Sequence, residues 1–425
     1  KLIENENVKC YRNYIKTEAE QQYSALERQW AFPLAERVTK GWAIEGLCIE
    51  KYDKRIIRMH CETNESRFRE GDLLVLHRGL PQDQNSLHVE LQYDGETELE
   101  ISLIRGNDIF LSENLDGWIL DQDWFDSSPF YLDALDTAAD SLRGRTKILP
   151  LLQGELTPQI DYARYERALE VLSNSGLNES QIESVAQAYA TNLLHLIQGP
   201  PGTGKTLMLA FLAKLLADDG QRVLVTALTH RAIHNALNKI PQVDESIPVC
   251  KIGEDRHISD LKVPNFKSFA ESQFGDLKDG YIVGATPFSL QTFRLSNVEF
   301  DVVLFDEASQ VTIPLAIMGM LAGNKYIFIG DENQLPPVTI FSDDQLAQES
   351  IFSLLSGNGN ETMLNITYRL NDELAEWPNQ MFYGNLLKPS DGAAKRRLAL
   401  TNKSTKWDFA QIGRASCRER VYACV

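Results

Sequence analysis

Cysteine is sparse in this 425-residue chain, and the six present (Cys10, Cys48, Cys61, Cys250, Cys417 and Cys424) form no C-x-x-C pair. That excludes the usual thiolate metal spacings and argues against the disulfide framework of a secreted scaffold, so a reducing, intracellular compartment is expected. No run of about 18 apolar residues occurs, so no membrane partner or span is expected. The opening "KLIENENVKC" lacks the apolar core of a signal peptide, and it also lacks an initiator methionine. Basic residues are in the minority, 42 against 60 acidic ones, for a net charge of −18. That balance excludes a surface coated in positive charge for nonspecific phosphate binding, but it allows a local groove that holds a single strand by backbone contacts and base stacking. Internal repeats and low-complexity tracts are absent. What is present, 43% hydrophobic and 24% charged residues, suffices for two or three domains.

The first third of the chain changes period twice. Residues 1–40 are rich in helix formers and predict an N-terminal helical segment. Over 41–120 the pattern turns to strands. Leu87, Val89, Leu91 and Tyr93 alternate with polar residues, Asp94-Gly95 marks a turn, and Thr97, Leu99, Ile101 and Leu103 continue beyond it. This is a hairpin signature, and with the strand-like runs beside it predicts a small β-barrel accessory domain of about five or six strands. Such barrels often bind oligonucleotides; a purely structural accessory role is the equal alternative. Residues 121–176 predict a helical linker. Asn178 or Ser180 can cap a helix carrying Ile182, Val185 and Ala186.

The stretch "GPPGTGKT" fills the pattern G-x-x-x-x-G-K-[ST] with Gly199, Pro200, Pro201, Gly202, Thr203, Gly204, Lys205 and Thr206. Gly202 and Gly204 allow a backbone that aims successive N–H groups inward. Lys205 adds a cation for the β- and γ-phosphates, and Thr206 offers a hydroxyl to Mg²⁺. "LLHLIQ" before the loop reads as a buried strand, and "LMLAFLAKLLADDG" after it as an amphipathic helix ending at Gly220. Farther on, "FDVVLFDEASQ" is an apolar strand that delivers Asp306, suited to hold Mg²⁺, and Glu307, suited to orient an attacking water. "RVLVTAL", "YIVGAT" and "KYIFIGD" are further apolar runs of the parallel-sheet type. They predict an α/β fold, a doubly wound RecA-like P-loop NTPase domain preceded by the helical segment and barrel, with ligands at the strand ends.

In order, "GPPGTGKT", "DEASQ", "GDENQLPPV" and "ITYRLNDELAEWPNQMFYGNLL" resemble superfamily 1 helicases of the Upf-like and Dna-type 5′-to-3′ group. The likeness covers about residues 177–387. It implies an ATP-dependent helicase or translocase acting on single-stranded nucleic acid, DNA or RNA, with ATP and Mg²⁺ as cofactors. It further implies that Gln181 reads adenine and Tyr368 stacks near it, that Gln334 senses the γ-phosphate with Asp331 supporting its loop, and that Arg369 serves as an arginine finger. Lys205 and Glu307 would carry the catalysis with Gln334 and Arg369. Thr229, Arg231, Asn235 and Thr286, in "ALTHRAIHNAL" and "GATPFSL", are implied contacts to a nucleic-acid backbone.

The resemblance also sets the expected layout: an ATPase lobe over 177–365 and the start of a second lobe over 366–411. Further motifs of that second lobe do not follow, so the chain is expected to be an N-terminal fragment that binds ATP weakly and does not unwind a duplex unaided. The stretch "IGRASCRERVYACV", residues 412–425, has no structural period and resembles a translated sequencing-adapter frame; it is read as artefactual. His230 and His234 stand at i, i+4 but lack the glutamate of H-E-x-x-H, which favours a surface helix over a zinc site. Trp377 and Phe382 could stack bases, although helix packing is the commoner use. The rival functions are an ATP-binding switch or scaffold without unwinding, and a small-molecule kinase. The latter would have no need of "GDENQLPP" or "TYRL".

Overall fold

The computed structural model describes residues 6–396 apart from 54, 110, 112–114, 255–257, 259 and 341–348. The expected continuation of a second lobe over 397–411 and the 412–425 tail, with Cys417 and Cys424, lie outside the described residues. The chain divides into two compact units, Ile15–Pro129 and Lys1–Tyr14 with Phe130–Val425. The helix Glu6–Trp30 contributes to both.

The Ile15–Pro129 unit is built on six strands: β1 (Ala43–Asp53), β2 (Ile56–His60), β3 (Leu73–His77), β4 (Leu87–Asp94), β5 (Glu98–Arg105) and β6 (Trp118–Gln122). They close into an antiparallel barrel in the order β1-β2-β5-β4-β3-β6. Closure leaves no free edge, and period-two alternation sends Leu74, Leu76, Val89, Leu91, Leu99 and Ile101 inward. The hairpin falls where the alternation put it. Its turn is wider than a two-residue Asp-Gly turn: residues 95–97 link β4 to β5, Gly95 N–H donates to Glu98 O at 3.0 Å, and Gly95 does not take a positive φ. Inside this unit Asp121, His77 and Arg37 are all buried, with His77 Nε2 2.9 Å and Arg37 Nη2 3.4 Å from Asp121 Oδ2. Arg37 also donates to Trp30 O at 3.0 Å, which ties the helical segment to the barrel wall within this unit.

The other unit holds β7 (Leu194–Gln198), β8 (Arg222–Thr226), β9 (Val249–Ile252), β10 (Asn265–Phe266), β11 (Tyr281–Gly284), β12 (Val302–Phe305), β13 (Lys325–Gly330) and β14 (Glu361–Met363). All neighbours are parallel, in the order β10-β9-β11-β8-β12-β13-β7-β14. A parallel sheet must be covered on both faces, which explains the unbroken apolar runs. One face carries Val302, Leu304, Ile327 and Ile329 against the helices Tyr162–Leu172, Glu179–Ala190, Lys205–Asp218 and His230–Val243. On the other, Phe305 and Phe328 stack with centroids 4.6 Å apart, under the helix Ile313–Met320. Gly319 permits that approach: a Cβ there would lie 2.7 Å from Phe305 Cζ. Gly220, at φ +75°, ends the Lys205–Asp218 helix as its position implied. Beyond β14, β15 (Ile366–Thr367) and β16 (Lys388–Pro389) pair in parallel around the helix Asp372–Phe382.

The described cysteines, Cys10, Cys48, Cys61 and Cys250, are all free. Among the described residues no helix is long and apolar enough to cross a membrane.

Candidate functional site

Three segments meet at the carboxyl ends of β7, β12 and β13. The first is the glycine-rich loop. Gly202 and Gly204 sit at φ +73° and +80°, the left-handed region that costs a side-chain-bearing residue about 1 kcal/mol or more. Gly204 is the N-cap of the 14-residue helix Lys205–Asp218, so the helix's free N–H groups face the loop. Lys205 Nζ donates to Gly199 O at 2.7 Å, and a Cβ at residue 199 would stand 2.4 Å from the lysine's Cγ and Cδ. Thr203 Oγ1 donates to Pro200 O at 2.7 Å, which holds the loop's curvature. Thr206 is the second residue of the helix and half-buried.

The acidic segment follows β12. Asp306 is buried, and desolvation, then the neighbouring Glu307 charge, pushes its carboxyl up to about 7 against the pull of Lys205. Glu307 N–H donates to Asp306 Oδ1 at 3.0 Å. Glu307 itself stands at φ +52°, ψ +40°, a conformation that non-glycine residues occupy where the surroundings over-determine it. No pattern in "DEASQ" announces that strain.

The third segment follows β13, and its organiser is Asp331. Buried, it accepts from Gln198 Nε2 at 2.5 Å on Oδ1, and from Gln334 Nε2 at 2.6 Å and Tyr383 O–H at 2.8 Å on Oδ2. Gln198 in turn accepts from Glu332 N–H at 3.2 Å, and Gly199 N–H donates to Gly330 O at 2.7 Å. The loop and the "GDENQ" segment are thereby stitched across the β13–β7 pair. The resemblance implies Asp331 as the support of Gln334 but does not point to Gln198 or Tyr383. The available signal was a polar residue closing the otherwise apolar strand "LHLIQ".

Gln181, Tyr368 and Arg369 close on the loop from the far side. Gln181 is buried, completes a capping box with Asn178, and donates from Nε2 to Thr203 O at 3.0 Å. Asn178 rather than Ser180 is the N-cap, and its Nδ2 donates to Tyr368 O–H at 2.9 Å. Tyr368 N–H donates to Gly202 O at 2.8 Å, and Thr367 Oγ1 to Pro201 O at 2.9 Å. Arg369 is exposed, with its backbone pressed on the loop: a Cβ at residue 202 would lie 2.3 Å from Arg369 Cβ.

The four expected nucleic-acid residues lie past the ends of two adjacent strands, β8 and β11. Thr229, Arg231 and Asn235 are exposed, and Thr286 is half-buried. Thr229 accepts from Ala232 N–H as a helix cap, whereas Thr286 stands at the N-cap position of the short helix Pro287–Leu290 without a side-chain cap bond, its hydroxyl 3.1 Å from that of Ser289.

Two expectations need correction. His234 is not on a surface: it is buried with Nδ1 2.7 Å from Asp260 Oδ1, because the helix turns its i+4 position toward the core while His230 stays exposed. Among the described residues no group of three or more His, Cys, Asp and Glu side chains could hold a metal ion. Trp377 and Phe382 do not pack into a core either; they are 62% and 45% exposed and touch each other edge to face at 5.4 Å.

A family model described as an AAA domain matches residues 176–342. The DNA replication ATP-dependent helicase/nuclease DNA2 of Saccharomyces cerevisiae is 32% identical over 221 residues, 50% of this chain and 14% of that protein. The helicase/nuclease of the same description from Schizosaccharomyces pombe is 31% identical over 237 residues, 53% of this chain and 17% of that protein. The Gallus gallus protein is 28% identical over 262 residues, 57% and 26%. The chain therefore spans about a quarter or less of the length of these relatives. The arterivirus nonstructural protein 10 helicase aligns over 89% of this chain and 66% of its own at 14% identity, but a TM-score of 0.40 is too low to carry an inference. The glycine-rich loop and the parallel sheet agree with the AAA match in marking residues 176–342 as a P-loop NTPase domain, and the relatives that align with the chain are described as helicase/nucleases.

Proposed function

We propose that this chain carries the first ATPase lobe of a superfamily 1 helicase of the Upf-like and Dna-type group, a motor that couples ATP hydrolysis to movement along a single strand. The observation that carries the reading is the convergence of Lys205, the buried Asp306 and the Asp331–Gln334 pair at neighbouring strand ends. The loop backbone and Lys205 bind the phosphates, Gln181 and Tyr368 flank the adenine side, and Gln334 reports on the γ-phosphate. Thr206 and Asp306 are the residues that would hold Mg²⁺; a buried carboxyl that resists ionisation until about pH 7 fits a place meant for a cation. Bound there, the ion neutralises charge on the phosphate oxygens. Glu307 orients the attacking water, and Arg369, exposed at the loop, spreads positive charge over the phosphoryl group.

Thr229, Arg231, Asn235 and Thr286 form the strand-facing edge. The relatives' description as DNA replication enzymes supports DNA as the strand and an intracellular setting.

The test is the ATPase rate of the chain with single-stranded DNA and RNA homopolymers. Stimulation by DNA above RNA, lost in Glu307→Gln, is the expected result. Hydrolysis indifferent to both polymers would replace the motor by a nucleotide-dependent switch.

A further inference from the structure

At the amino ends of the same strands, opposite the glycine-rich loop, lies a cavity of about 540 Å³. Its lining brings together Lys147, Arg164 and Lys325, with Asn192, Asn324 and Gln221 between them. In a chain of net charge −18 such a grouping has to be accounted for. Lys325 is buried, and its Nζ donates to Tyr189 O at 2.7 Å. Lys147 Nζ donates to Asn324 Oδ1 at 3.2 Å. Each ammonium thus donates to a neutral acceptor, and the two carboxylates of the lining, Asp161 and Asp301, make their hydrogen bonds elsewhere. Asp161 caps a helix through Ala163 N–H and Arg164 N–H, and Asp301 holds Arg222 through both oxygens. Arg164 lies 4.3 Å over the Tyr189 ring and 3.0 Å from Asp219. Gln221 Oε1 is buried and, among the described residues, accepts no hydrogen bond. An ammonium keeps three donors, so these groups offer unused donors and one unused acceptor around a single hollow.

We propose that this cavity is a binding site for a compact phosphate-bearing small molecule, with Lys147, Arg164 and Lys325 holding the oxyanion and Gln221 accepting a ligand hydroxyl. The volume is that of a small-molecule site. Burial and the Arg164 charge bring the Lys325 ammonium down to about 7, with Asp219 opposing, and His195 behind it is pushed down to about 3 and stays neutral. Binding should therefore weaken as pH rises through 7.

The experiment titrates inorganic phosphate calorimetrically into the full chain carrying Lys205→Ala, which removes the loop's phosphate-binding cation. Phosphate binding should persist there, and adding Lys325→Met or Lys147→Ala should weaken it by about tenfold, the worth of one charged hydrogen bond. Lys147 is only partly buried, so its variant folds even if the other does not. Sulfate, whose charge is constant across the range, should bind more tightly at pH 6 than at pH 8. Loss of all phosphate binding in Lys205→Ala, indifference to Lys147→Ala, or competition by a single-stranded oligonucleotide would overturn the proposal. None of these outcomes depends on whether Glu307 hydrolyses ATP.

Discussion

The two ends of the eight-stranded sheet hold opposite charges in the same condition. At the carboxyl ends, burial pushes the Asp306 carboxyl up to about 7; at the amino ends, burial pulls the Lys325 ammonium down to about 7. The leading cause is desolvation in both, which disfavours whichever charge is present. The ends differ in how the charge is supported. Asp306 stands between a left-handed glutamate and a lysine on a glycine-shaped loop, all within consecutive-residue motifs. Lys325 leans on the Tyr189 carbonyl, with the Arg164 charge acting against its ammonium and Asp219 for it, groups that the chain delivers from separate helices and their ends. One end is written locally; the other exists only once the sheet is assembled.

The largest expected effect separates the ends by chemistry. Glu307→Gln should lower the ATPase rate by at least about 100-fold while nucleotide binding persists, as for loss of a general base, whereas Lys147→Ala should leave that rate within about twofold. Steady-state hydrolysis and fluorescent-nucleotide binding check both.

Next in size is the Asp331 junction. Asp331→Ala would strand Gln198, Gln334 and the Tyr383 hydroxyl, at a cost of about 3 kcal/mol, and lower the melting temperature by about 6–12 °C. A loss as small as that from a surface alanine would show that the stitch between loop and strand end is not structural.

The third contrast is one of sign. Asp306 keeps its proton to about 7 when folded but loses it near 3.8 when unfolded, so the native state binds more protons between those values and stability falls as pH rises. Lys325 does the reverse: between about 7 and 10.5 the unfolded state binds the extra proton, and stability rises with pH. Asp306→Asn should therefore raise the melting temperature by about 3 °C or more at pH 8 and by little at pH 4. Lys325→Met should raise it more at pH 6 than at pH 9. Thermal scans across pH decide, and equal shifts at all pH values would remove the parallel between the ends.

The smallest effect concerns Thr229, whose hydroxyl caps the His230–Val243 helix. Thr229→Ala should cost about 1 kcal/mol of stability, with Thr229→Ser restoring it. A drop in strand-stimulated hydrolysis beyond that would mark a contact as well as a cap.

Much of this molecule was legible beforehand. The glycine loop, the five apolar runs and the barrel hairpin were readable because each depends on the conformational preference of neighbouring residues. Gln181 illustrates the limit. Its place ahead of the loop pointed to the site, yet its two hydrogen bonds, one to its own helix cap and one to Thr203, depend on how the Glu179–Ala190 helix lies against the loop. The burial of His234 is not legible for a related reason: i, i+4 spacing fixes two side chains on one helix face, but not which of them meets Asp260.

What the sequence determined by itself was the phosphate loop, the two acids after an apolar strand and the parallel character of the sheet, since backbone sterics and hydrophobic period act over a few residues. Only the tertiary structure decided that Asp331 joins Gln198, Gln334 and Tyr383, and that Lys147, Arg164 and Lys325 share one hollow. Burial and side-chain contact between distant segments are properties of the packed core, and no local pattern encodes which charges it will strip of water.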